Sequence, residues 1–280
     1  MRNELLHIYR NTPFGRENLL QSIYFCSVLG VRLVIYLPET KKLLMYFRGR
    51  PVQVDLDSSY LKDPKTRDIH IRECLEGQDI DYELYRSSEY SASNLADLGT
   101  DFDFMSSPRV VSDLSSKIGL GHIGSKVRNL LLSASFPMLI PSQAFKKWNS
   151  MTVMFGGSIN GVKALQLGIR LSQISGLPLY MFTQAENGKS RNHYEEIIKQ
   201  RNLWEAFQTT VNRWHFFEKG DLSVNLFAVP HDSLVVMGIF GHGIVKDFFF
   251  GSTTEKIQTI LPNNMLLLGP KYKEHRWYQI

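Results

Sequence analysis

The succession of apolar runs, helical stretches and glycines in the second half of this 280-residue chain recurs in its first half. A chain built that way is expected to fold as two copies of one small α/β domain. In the second half, the apolar run 151–155 ends in Gly156-Gly157-Ser158 and reads as a buried strand entering a turn. A helix is expected over 161–175, with Leu167, Leu171 and Ile174 on one face. A strand over 179–182, a polar loop at Asn187-Gly188 and a long helix over 192–210 follow. Strands at 214–217, 234–237 and 265–268 complete five, with a short helix at 222–229.

The first half gives strands at 5–9, 31–37, 82–85, 102–105 and 138–140, and helices at 17–29 and 67–76. Gly30 precedes its second strand as Gly176 precedes the corresponding one. The endings match best: Gly124-Ser125, an apolar helix, then a strand and Pro141, against Gly251-Ser252, a helix, a strand and Pro270. Strands that alternate with helices and are apolar throughout predict a Rossmann-like fold, a five-stranded parallel sheet with helices on both faces, in each half. The expected boundaries are 1–141, a linker at 142–150, and 151–280. One insertion breaks the symmetry: 42–57 reads as a hairpin around Arg48-Gly49-Arg50-Pro51, on the surface of the first domain.

With 43% apolar and 21% charged residues, each half can bury a core. A net charge of +5 is mild for this length and gives no footprint for nucleic acid. Cys26 and Cys74 have neither disulfide nor zinc spacing, and Cys26 reads as a buried free thiol in a reducing compartment. No stretch reads as a signal peptide or reaches the roughly 20 apolar residues of a membrane span, so a cytoplasmic location is expected.

The segment that carries chemistry is 235–254, VVMGIFGHGIVKDFFFGSTT. An apolar strand ending at Met237 runs into Gly238, Gly241 and Gly243. Gly251 follows, with Ser252 and Thr253 at a helix start. Strand ends of a parallel sheet open onto the ligand crevice, glycines admit a phosphate close to the backbone, and a helix N-terminus favours an anion. Neither a Walker loop nor a dinucleotide fingerprint has this spacing.

The pattern Gly-x2-Gly-x9-Gly-Ser/Thr, here Gly238, Gly241, Gly251 and Ser252, resembles the ATP-binding signature of the universal stress protein family. The repeat resembles that family's tandem two-domain members, most clearly from Met151 onward. The resemblance implies ATP, or ADP or AMP, in the second domain, with phosphates in the glycine loop and adenine near the backbone of Met181 and Phe182. It implies a regulatory stress-response factor with slow or no hydrolysis. The two domains would replace the homodimer of single-domain members, a further homodimer being open.

Departures bear on that implication. Gly156 stands where nucleotide-binding members have an Asp that contacts the adenosine part, with Ser158 a partial substitute. The first domain has Arg10-Asn11-Thr12 there and Ser106-Ser107-Pro108 in place of the first loop glycine. Its Gly119, Gly121 and Gly124 are at the wrong spacing, so it reads as a degenerate copy that binds no ATP.

His242 touches phosphate or is an exposed loop residue, and His122 is in the corresponding loop of the first domain. Asp232 and Asp247 flank the glycine loop and either hold magnesium through water or are solvated. Arg109, Lys117 and Lys126 are basic, Phe248, Phe249 and Phe250 pack the core or a dimer surface, and His215 reads as structural. The tail 271–280 docks on a partner or frays. An interaction module of the same fold, binding no nucleotide, is the alternative. An enzyme related to the ATP pyrophosphatases is a weaker third reading, because Phe155 and Ile159 stand where their loop needs Ser and Asp. No catalytic set is readable.

Overall fold

Nearly every residue of the first-half run ELLHI and the second-half run SMTVM is buried, which requires a strand on either side and cover on both faces. A computed structural model describes residues 3–47, 50–87, 95–109, 123–186, 188–240 and 252–273, with backbone alone at Ser252 and Thr253. The chain divides into two units that change over in sequence between Lys146 and Lys147.

In the first unit the elements are β1 (Glu4–Ile8), α1 (Pro13–Leu29), β2 (Arg32–Tyr36), β3 (Lys42–Phe47), β4 (Arg50–Asp55), α2 (Pro64–Leu75), β5 (Tyr82–Tyr85), β6 (Ala96–Leu98), β7 (Phe104–Ser106), α3 (Ser125–Ser133) and β8 (Met138–Ile140). The second has β9 (Ser150–Met154), α4 (Ile159–Ser175), β10 (Leu179–Gln184), α5 (Arg191–Gln200), α6 (Trp204–Thr210), β11 (Val211–Phe217), α7 (Leu222–Asn225), β12 (Ser233–Gly238), α8 (Ser252–Ile260) and β13 (Met265–Leu268). Parallel pairing orders the first unit's main strands β5–β2–β1–β7–β8 and the second's β11–β10–β9–β12–β13. Counted within its own unit, each runs 3-2-1-4-5, so the expected repeat is present strand for strand.

The first strand–helix–strand of each unit aligns without insertion. Thr12 caps α1 by accepting the Gly15 N–H at 3.0 Å, and Ser158 caps α4 by accepting that of Gly161 at 3.1 Å. Both helices end on a left-handed glycine, Gly30 at φ 64° and Gly176 at φ 70°. That conformation costs an L side chain and costs glycine nothing. Where helix crosses strand, the copies differ. A Cβ on Gly168 would lie 2.4 Å from Val153 Cγ2. The aligned pair in the first unit is Ser22 and His7, whose Oγ and Nδ1 are 2.9 Å apart and buried.

Some expectations need correction. The helix expected over 192–210 is two, because Asn202 turns left-handed at φ 57° between α5 and α6. Leu167 and Leu171 are buried, but Ile174, in the last turn, is exposed. The hairpin is present as β3 and β4, antiparallel, but it is no bare excursion: β6 adds to it in parallel. Its Leu43, Met45, Phe47 and Val54 are buried, with Phe47 against Phe136. The segment expected as a linker is bonded to both units in turn. The N–H groups of Phe145 and Lys146 donate to Glu17 and Gln21, Trp148 is buried, and the Asn149 N–H donates to the Asp232 carbonyl. Cys26 is buried and free, and burial pushes its thiol well up.

Burial lowers the His7 pKa to about 3, so the folded chain keeps it neutral where the unfolded chain takes a proton near the ordinary value of 6.5. Between the two values the unfolded state binds more protons. The contribution is complete above about pH 6.5 and is lost as pH falls toward 3, at up to about 1.4 kcal/mol per pH unit. Urea unfolding across that window should show a shallower pH dependence for His7→Gln than for the wild type; equal slopes would place the proton uptake elsewhere.

Candidate functional site

In a 3-2-1-4-5 sheet the chain reverses direction between the first and fourth strands, and the crevice opens at their C-terminal ends. In the second unit these are the ends of β9 and β12. After Phe155 the chain passes through Gly156, which is exposed, and Gly157 at φ 74° to the cap of α4. Ser158 is therefore engaged as a helix cap. A Cβ on Gly156 would meet nothing within 4 Å.

Gly238 faces this turn. A Cβ there would lie 2.2 Å from the carbonyl oxygen of Asn160 and 2.3 Å from its carbon, so only glycine lets β12 end against the first turn of α4. Asn160, buried beneath, donates through Nδ2 to the Ile239 carbonyl at 2.7 Å, and the Ile239 N–H donates to Leu268. Phe240 then takes φ 61°. Sequence reasoning missed Asn160, because its partner is a backbone oxygen 79 residues away. The start of a glycine loop is thus anchored to the helix end on the other side of the crevice. Ser252 and Thr253 open α8. Gly241, His242, Gly243 and Gly251 lie outside the described residues. So do Lys117, Gly119, Gly121, His122, Asp247, Phe248, Phe249, Phe250 and residues 274–280.

Met181, Phe182 and Met237 are buried. Because β10 runs on to Gln184, Met181 and Phe182 are paired to β9 and β11 on both sides, and the Phe182 carbonyl accepts the Phe155 N–H. The open end of the strand is made instead by Gln184 and Glu186. The Glu186 N–H donates to Tyr194, whose ring packs on Phe155. Asp232 does not flank the loop. It precedes β12 at the opposite end, about 20 Å from Gly238 at strand rise, and its carbonyl holds Asn149 and Ser150. His215 packs edge-on against Tyr180, and burial and Arg213 lower its pKa. Among the described residues, no group of His, Cys, Asp and Glu could hold a metal ion.

The first unit's crevice is occupied by its own side chains. Arg10, aligned with Gly156, is buried. It donates to Ser59 at 2.5 Å and Asp57 at 3.2 Å, and lies 5.3 Å from the Tyr60 ring centre. Asp57 also accepts from the Ser59 hydroxyl. Asn11, aligned with Gly157, donates to Thr66 and the Asp63 carbonyl and accepts from His70 Nδ1, while Arg16 donates to His70 Nε2. By strand register Pro108 takes the place of Gly238. Lys126 donates to the Asp55 carbonyl, and the Arg109 carbonyl accepts the Gly124 N–H. Burial lowers the pKa of the Arg109 guanidinium.

No protein-family model matches the chain, and no curated protein matches its sequence. Solved structures match its fold. A universal stress protein from Archaeoglobus fulgidus DSM 4304 is 13% identical with a TM-score of 0.63, over 96% of this chain and 99% of that one. A putative universal stress protein from Pseudomonas aeruginosa UCBPP-PA14 is 11% identical with a TM-score of 0.56, over 97% and 94%. A functionally unknown protein from Pseudomonas aeruginosa PAO1 is 10% identical with a TM-score of 0.52, over 96% and 93%. The chain has the two-domain fold of the universal stress proteins. No helix among the described residues is long and apolar enough to cross a membrane.

Replacing Gly238 by Ala forces backbone against backbone at Asn160. Urea unfolding should show a loss of about 1–3 kcal/mol, whereas Gly156→Ala, with open space around it, should change stability by less than about 0.5 kcal/mol.

Proposed function

We propose that the second unit binds an adenine nucleotide, ATP before ADP or AMP, and that occupancy sets the state of a regulatory stress-response protein with slow or no hydrolysis. The observation that carries this reading is Gly238. It is packed on the Asn160 backbone at the reversal of the sheet and begins the glycine pattern that ends where α8 starts at Ser252. Glycines there leave backbone N–H groups accessible to phosphate, and the first turn of α8 adds the positive end of a helix dipole. Any magnesium would come with the phosphates, held mainly by them and by water.

The alternative is an interaction module without nucleotide, and Gly156 favours it: no carboxylate stands at the end of β9 to fix a nucleoside. The same residue separates the readings. Because a Cβ at Gly156 meets open space and its φ is not positive, an aspartate fits there without strain. ATP with magnesium, titrated into nucleotide-free protein, should bind at one site per chain. Gly241→Val should abolish it, and Gly156→Asp should tighten it by roughly tenfold, the worth of one added hydrogen bond of about 1–2 kcal/mol. No heat at millimolar ATP in either the wild type or Gly156→Asp, with no nucleotide released on denaturation, leaves the interaction module.

A further inference from the structure

At the crevice of the second unit β10 runs on past the end of β9, and its last residue carries an amide. Phe182 pairs with Met154, so two residues further on the same register sets Gln184 alongside Gly156, where β9 gives way to a residue with no side chain. Side chains alternate along a strand. Thr183 accepts the Trp214 Nε1–H on the face where Trp214 packs on Phe207 of α6, so Gln184 is on the opposite face. There it meets Asn225 of α7. The helix α8 is tied to the same corner by Lys256, 3.2 Å from Asp221, the cap of α7.

Two peptide carbonyls fix how the amides point. A carbonyl only accepts, so the Asn225 amide nitrogen faces the Lys219 carbonyl, 3.1 Å away. The same nitrogen donates to Gln184 Oε1 at 2.7 Å, which turns Gln184 Nε2 toward the Phe217 carbonyl at 3.4 Å. Gly220, at φ 103°, lets the intervening turn close on this pair: a Cβ there would stand 3.1 Å from Asn225 Nδ2. Gln184 is half-buried, and its second Nε2–H has no partner among the described residues. A donor oriented before its ligand arrives loses little freedom on binding.

The first unit has no counterpart. Ile8 pairs there with Tyr36, so the residue alongside Arg10 is Pro38, which has no side-chain donor. The unit whose crevice is filled from within has a proline at this place, and the unit open at Gly156 has a held amide.

We infer, on the strength of the nucleotide reading proposed above, that Gln184 holds the nucleoside part of the ligand. It donates its spare Nε2–H to a ring nitrogen or ribose oxygen, and Asn225 positions it. The phosphates lie at the first turn of α8, on the same face of the sheet.

The magnesium complexes of ATP and of inorganic tripolyphosphate are titrated separately into the nucleotide-free full chain by calorimetry. Tripolyphosphate makes the phosphate contacts without the nucleoside, so the wild type should bind ATP more tightly. Gln184→Ala should weaken ATP about tenfold, as expected for one hydrogen bond lost from a part-buried partner, and leave tripolyphosphate unchanged. Asn225→Ala should also weaken ATP, yet the double variant should bind it no worse than Gln184→Ala alone, because Asn225 acts through Gln184. Unchanged ATP affinity in Gln184→Ala overturns this role while the nucleotide reading stands. So does a loss shared equally by tripolyphosphate, which would make the amide pair a clasp for the turn. A wild type that binds neither compound removes the nucleotide reading and this role together.

Discussion

Each unit depends on its first helix lying close across its own first strand, because that contact fixes where the helix starts and so where the crevice opens. Close approach leaves no room for two full side chains at the crossing. The second unit meets this by subtraction, with Gly168 against Val153. The first meets it by pairing, with Ser22 bonded to His7. Burying an imidazole is tolerated only because its nitrogen has a partner and the ring stays neutral. The same backbone geometry thus rests on an apolar contact in one copy and a polar one in the other, which is why the repeat is clearer in the order of elements than in residue identity.

From that shared frame the crevices diverge at two positions. Gly156 and Gly238 put no side chain at the second unit's strand ends, and Asn160 pins the start of the loop to α4. Arg10 and Pro108 do the reverse in the first unit. Arg10 is held by Asp57, which ends the hairpin insertion, and by Ser59 just after it, so the insertion supplies both the β3–β4 hairpin, to which β6 adds, and part of what fills the crevice.

Elements whose cause is local were readable in the sequence. The strands show as apolar runs, the ends of α1 and α4 show at Gly30 and Gly176, and the hairpin shows as two short strands around Arg48-Gly49-Arg50-Pro51, whereas α1 starts at Pro13, capped by Thr12, one turn before the expected Glu17. Features whose cause is distant were not. The helical pattern runs unbroken through Arg201-Asn202-Leu203, and only the backbone at Asn202 reveals the division of α5 from α6. Ala96–Leu98 carries no strand signal of its own; β6 exists because β3 offers it an edge. For the site, the glycine spacing was legible because the chain itself sets it. The lining at Gln184 and Glu186, the Asn160 tether and the misplacement of Asp232 depend on how far a strand runs and on which of its ends faces the crevice.

The Arg10 cluster has a thermodynamic consequence. A crevice filled by groups covalently part of the chain is saturated at every solute concentration, so its stability contains no ligand activity. An open crevice carries the additional factor RT ln(1 + [L]/Kd) for whatever it accepts. The first unit, with Arg10 seated on Asp57 and Tyr60, carries no such factor at this crevice. On the proposed function, the second unit, which has no side chain at Gly156, is the half whose stability carries that factor.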